Sequence, residues 1–152
     1  MRQLSLLFRE QREQIFGRWH EALRGMVDDD YREVLESPIG LRIVGSLIEE
    51  MVNLSQAEPF EVPAIWRRVE ETTADEAGRR ARLGFELDDI LAARQALRAA
   101  LWHILADALV TGDLPAAGET MDEMSQVDEY LDRLVRAEVR GYLAFTQSVD
   151  ED

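Results

Sequence analysis

Between Leu87 and Val110, apolar residues fall at Leu87, Ile90, Leu91, Leu97, Leu101, Ile104, Leu105 and Ala108. They form one broad stripe along a helix that ends at Thr111 and Gly112. A stripe of that width has to be buried, and the rest of the chain offers only helices to bury it. No period-two run of β-branched residues spans more than a few positions, and no Asn-Gly or Asp-Gly hairpin turn occurs. The class is all-α.

The other segments read as partners of that helix, separated where Gly and Pro fall. A first helix is predicted from Leu4 to Met26, with Leu4, Phe8, Ile15, Trp19, Ala22 and Met26 on one face, ended by Gly25 and the run Asp28, Asp29, Asp30. Tyr31 to Ser37 has room for one or two turns. A second helix from Pro38 to Ser55 is expected to bury Leu41, Val44, Ile48 and Met51. Pro63 suits the first turn of a third helix because its missing N–H would be unpaired there in any case. That helix reaches Leu83, carries the small residues Ala74, Ala77, Gly78 and Ala81 where a neighbour could approach closely, and stops at Gly84. The Leu87–Val110 helix is fourth. After Asp113, Leu114 and Pro115, a fifth runs from Glu119 to Gln147 with Met124, Val127, Leu131, Leu134, Val135, Val139, Tyr142 and Phe145 on one side. The expected architecture is a five-helix antiparallel bundle over residues 1–152, with Trp19, Leu97, Leu101 and Leu131 in the core and a globin-like arrangement left open.

Composition narrows the functions available. The 152 residues are 46% apolar, enough for the core of one domain. Seventeen basic residues, all Arg, stand against thirty-one acids and leave a net charge of -14. That field repels phosphate backbones and anionic bilayers, so neither nucleic acid nor membrane is an expected partner. The absence of Cys removes disulfides, thiolate metal sites and thiol nucleophiles. No apolar run approaches the roughly 18 residues of a span, and Arg9, Glu10 and Arg12 interrupt any signal-peptide-like stretch, which points to the cytoplasm.

Catalytic constellations are scarce. No Gly-x-Ser-x-Gly elbow surrounds any serine, and Gly40 to Ser46 has the glycine spacing of a phosphate loop but Ser46 where the lysine belongs. A di-iron bundle needs Glu three residues before His, yet Gly17 precedes His20 and Ala100 precedes His103 at that spacing. Arg24 and Asp107 occupy the positions one turn after the two histidines, where a zinc helix would need a second ligand. His20-Glu21-Ala22-Leu23-Arg24-Gly25 approaches a histidine phosphotransfer motif but is displaced by one residue, which turns the side chains through roughly 100° of helix. No enzyme, metal or cofactor is expected.

Two residues on the fourth helix remain informative. His103, between Trp102 and Ile104, either completes a polar rim or serves as a haem ligand in a globin-like binder, the alternative function. Arg94 sits on the stripe with Ile90, Leu97 and Leu101, and a buried guanidinium needs a carboxylate from a neighbouring helix or an anionic ligand. With Trp66, Trp102 and Tyr142, these are the candidate pocket or switch residues.

Ile15-x-x-x-Trp19 on the first helix is followed later by Arg80-Ala81-Arg82-Leu83-Gly84-Phe85-Glu86-Leu87-Asp88-Asp89-Ile90-Leu91, leading into Arg94-x-x-Leu97-Arg98-x-x-Leu101-Trp102. This pattern resembles the N-terminal domain of RsbRD-type RsbT co-antagonist proteins over nearly the whole chain. The resemblance implies a helical, non-catalytic input domain. Such domains stand before an output module such as a stressosome STAS domain, a diguanylate cyclase or a DNA-binding regulator. It also implies a homodimer, which apolar residues expected at the surface near Leu4, Leu7, Phe8, Tyr142 and Phe145 would pair. No output module follows the helical part before Asp152, which leaves a stand-alone sensor or a piece of a longer protein.

Overall fold

The computed structural model describes residues 1–112 and 117–151, with side chains over 1–112 and 119–147. The described residues form seven α-helices and no strand: α1 Arg2–Glu10, α2 Arg12–Leu23, α3 Asp29–Glu36, α4 Pro38–Gln56, α5 Val62–Arg82, α6 Leu87–Thr111 and α7 Ala117–Glu151. Trp19, Leu97, Leu101 and Leu131 are all buried in one hydrophobic core. The link at Asp113, Leu114 and Pro115 lies outside the described residues. Among the described residues no helix is long and apolar enough to cross a membrane.

Seven helices replace the expected five because the first predicted helix is broken and Tyr31 to Ser37 belongs to a helix of its own. The break falls at Gln11 (φ -100°, ψ 20°), inside the polar run Arg9 to Gln14, where no apolar side chain ties the backbone to the core between Phe8 and Ile15. Gly25, at φ 80°, then ends α2 at Leu23, so Met26 is exposed and Val27 packs inward instead. Asp28 caps α3 by accepting from the Asp30 N–H. Ser37 caps α4 in the same way from Ile39, with Pro38 in the first turn.

Leu41 is exposed rather than buried. The buried face of α4 is set by Gly40, whose hydrogen-only side lies against the backbone of Leu35. A Cβ there would overlap that carbonyl, and the face continues through Val44, Leu47, Ile48 and Met51, turned away from Leu41. Leu4 and Phe8 are likewise core residues, while Leu7, Tyr142 and Phe145 are half-buried, so the apolar surface expected there does not exist in that form.

Helices α6 and α7 run antiparallel. Tyr142 of α7 reaches Phe85 before the start of α6, and Glu138 and Asp132 pair with Arg94 and Arg98 further along it. Helices α5 and α7 lie parallel, with Trp66 on Tyr130, Glu70 on Arg133 and Ala74 on Gly141. This pairing is the most extensive in the molecule. The small residues foreseen on α5 are in it: Ala77 and Ala81 are buried, and Gly141 of α7 passes so close to Ala74 that a Cβ would strike the α5 backbone.

Candidate functional site

Six of the seven helices contribute to one cleft, lined by Trp19, Tyr31, Leu35, Ile43, Arg80, Ile90, Ala93, Arg94, Leu97 and Glu138. Its interior holds about 10 Å³, the room of a single water. Most of the lining is fully buried, whereas Ile43 and Arg80 are half-buried and mark the side nearest solvent.

At the floor, Arg94 Nε donates to Glu138 Oε1 over 2.9 Å. The Arg94 side chain is 11% exposed and that of Glu138 2%. The two stripes put them there: Arg94 interrupts the apolar face of α6 between Ile90 and Leu97, and Glu138 interrupts that of α7 between Leu134 and Tyr142. Burial by itself would lower the Arg94 pKa, but the charge of Glu138 and its hydrogen bond together outweigh it and raise the value. The Arg94 guanidinium therefore keeps its charge although it is removed from water, because a carboxylate lies within hydrogen-bond distance.

Two tyrosines border this charge. Burial raises the pKa of Tyr31, opposed chiefly by the nearby positive charge of Arg80. Burial also raises that of Tyr130, opposed by Arg94. Trp19 closes the wall of the cleft, its indole N–H donating to the Ala93 carbonyl at 2.9 Å.

Of the five residues singled out from sequence, only Arg94 lines the cleft. Trp66 is half-buried on the α5–α7 face, its ring tilted by 40° against that of Tyr130 with centroids 5.2 Å apart, and the Arg133 guanidinium lies 3.7 Å from its ring centroid. Trp102 packs half-buried against the core, and His103, next to it, is exposed. The Tyr142 hydroxyl donates to the Phe85 carbonyl at 2.9 Å, tying α7 to the α5–α6 turn. His20 is half-buried against Phe16, and its Nε2–H donates to the Leu35 carbonyl at 2.9 Å, so it serves the packing of α2 on α3.

Sequence reasoning passed over Glu138, Tyr31 and Arg80. Glu138 carried a signal of the same kind as Arg94, a charge at stripe spacing from Leu131, Leu134 and Tyr142. Tyr31 and Arg80 offered none, since neither sits on a long stripe.

The described residues thus form an all-helical domain with a charged pair buried where α6 and α7 meet. The chain matches the RsbT co-antagonist protein rsbRD N-terminal domain over residues 13–152, and it belongs to that family. The match begins within α2 and takes in every cleft residue. No curated protein and no solved structure matches the chain.

Proposed function

We propose that this domain is a non-catalytic regulatory input of bacterial stress signalling, in which a change of packing between α6 and α7 is passed along α7 to an output module or a regulatory partner. The family takes its name from a co-antagonist of RsbT, and the same kind of role is the one assigned to this chain. The observation that carries the reading is the Arg94–Glu138 pair, a buried polar link between the helix that floors the cleft and the helix that ends the domain. α7 spans 35 residues, about 52 Å. Its packing against α5 and α6 reaches Gly141 and Tyr142, while Leu143, Ala144 and Gln147 beyond them are exposed.

In this reading the domain works in the cytoplasm as a homodimer, and pairing of two α7 helices couples the copies. Exposed Leu6 of α1 and Met121 and Leu143 of α7 supply apolar surface for it. Light scattering is expected to return twice the 17.4 kDa of the chain, and a monomer at micromolar concentration would remove the dimer from the account. A signal can shift the α6–α7 arrangement only by as much as its affinities for the two states differ. The functional test fuses a reporter output module after Asp152 and changes Arg94→Met. Altered basal or stimulated output with helicity preserved supports the reading. Unaltered output shows that Arg94 is structural only.

A further inference from the structure

The cleft contains more positive charge than its own carboxylate balances. Arg94 spends its Nε on Glu138, and Arg80, half-buried on the solvent side, makes no ion pair or side-chain hydrogen bond among the described residues. Two guanidinium groups against one carboxylate leave the lining with one net positive charge, in a chain whose total is -14. What sets Arg80 apart is its place: it borders an interior walled largely by apolar side chains and shares that lining with Arg94.

We infer that the cleft binds a small, planar, monovalent oxyanion, the carboxylate of a small organic acid, held between Arg80 and Arg94. Charge sets the valence: one negative charge neutralises the lining, and two would place excess charge beside Glu138. Size sets the shape, because the interior of about 10 Å³ takes one oxygen atom and leaves the remainder of the anion on the Arg80 side. A carboxylate suits this arrangement, because one oxygen can enter toward Arg94 while the other faces Arg80, each accepting a charge-assisted hydrogen bond from a guanidinium N–H. The buried wall of Trp19, Leu35, Ile90 and Leu97 lowers the polarity of the deep end and strengthens each contact made there.

This inference deepens the regulatory reading by naming the ligand class. A carboxylate at this position competes with Glu138 for the Arg94 guanidinium, so binding loosens the α6–α7 link. Binding itself is read without any output module, so its failure leaves the regulatory role to be judged by the fusion experiment.

The test is an NMR titration of the whole chain with sodium formate, and separately with sodium sulfate at equal ionic strength. The indole N–H of Trp19 is the reporter. Formate is expected to shift that signal along a saturating curve, and sulfate is expected to give no saturable shift. Arg80→Met keeps the aliphatic stem and disturbs no ion pair. It should raise the half-saturating formate concentration about tenfold or more, the loss of one charge-assisted contact, and Arg80→Lys should recover part of it. Non-saturating shifts equal in both salts would reduce the effect to charge screening and overturn the proposal. Equal saturation by sulfate, or unchanged formate affinity in R80M, would overturn it as well.

Discussion

Toward α5, helix α7 presents Gly141, small enough for the two backbones to touch at Ala74. Toward α6 the same helix presents Asp128, Asp132 and Glu138, each answered by an arginine: Arg98 for the first two and Arg94 for the third. The first contact depends on shape and has one solution, because the atoms that would collide are backbone. The second depends on charge pairing, and a guanidinium can exchange one carboxylate partner for another. Backbone contact at Ala74 and Gly141 fixes the α5 side even though the Glu70–Arg133 bridge lies beside it, whereas the buried link on the α6 side is a charge pair, so the α6 side is the more adjustable, and the cleft lies there.

The largest effect expected from breaking this asymmetry comes at Glu138. Glu138→Leu leaves Arg94 buried without a counter-charge and should cost about 3–5 kcal/mol of unfolding free energy, measured by urea denaturation. The paired change R94M/E138L, which removes both charges, should recover most of that loss; a double variant as unstable as the single one would show that the pair is not what Glu138 contributes.

On the steric side, Gly141→Ala forces α5 and α7 apart and should cost about 1–3 kcal/mol, with no rescue from any change of charge on α6. Alkaline pH probes the buried tyrosines around the pair. The folded-state pKa values of Tyr31 and Tyr130 are raised above the ordinary tyrosine value of 10.0, so the stability they contribute is complete below pH 10. As pH rises from there toward the folded-state values, the unfolded chain ionises first, and stability should fall by about 1.4 kcal/mol per pH unit for each tyrosine. Tyrosinate absorbance and loss of helical circular dichroism should therefore appear together.

The smallest effect belongs to the outer part of the charged face. Arg98→Met removes two bridges whose acids are partly exposed, and it also removes a buried Nε that has no partner. A cost below about 1 kcal/mol is expected, shrinking further in high salt.

These contacts differ in how plainly the sequence announces them. The stripe on α6 and the small residues of α5 were legible because periodicity and side-chain size are local properties, and Arg94 stood out as a cation among apolar neighbours. Glu138 obeyed the same spacing but was hidden by abundance: in a chain with thirty-one acids, a carboxylate on a helix reads as solvated surface. The break at Gln11 had no Gly or Pro to announce it. It follows from what the core fails to hold, which is a tertiary property. The gathering of Tyr31, Arg80 and Arg94 in one cleft depends on how α3, α5 and α6 cross, and no residue pattern within a single helix encodes that crossing.

The asymmetry of α7 can be measured directly because the chain has no native Cys to interfere with labelling. Spin labels at exposed Arg79 of α5 and Ala144 of α7 report one interface, and labels at exposed Gln95 of α6 and Ala144 report the other. Each is read by dipolar spectroscopy after dilution with unlabelled protein, in the native background and in R94M/E138L. The α5–α7 distance distribution should be the same in both, while the α6–α7 distribution should shift or broaden by on the order of 1–2 Å, the scale of helix movements in switching proteins. An α6–α7 distribution that does not respond, or an α5–α7 distribution that moves with it, would contradict the account.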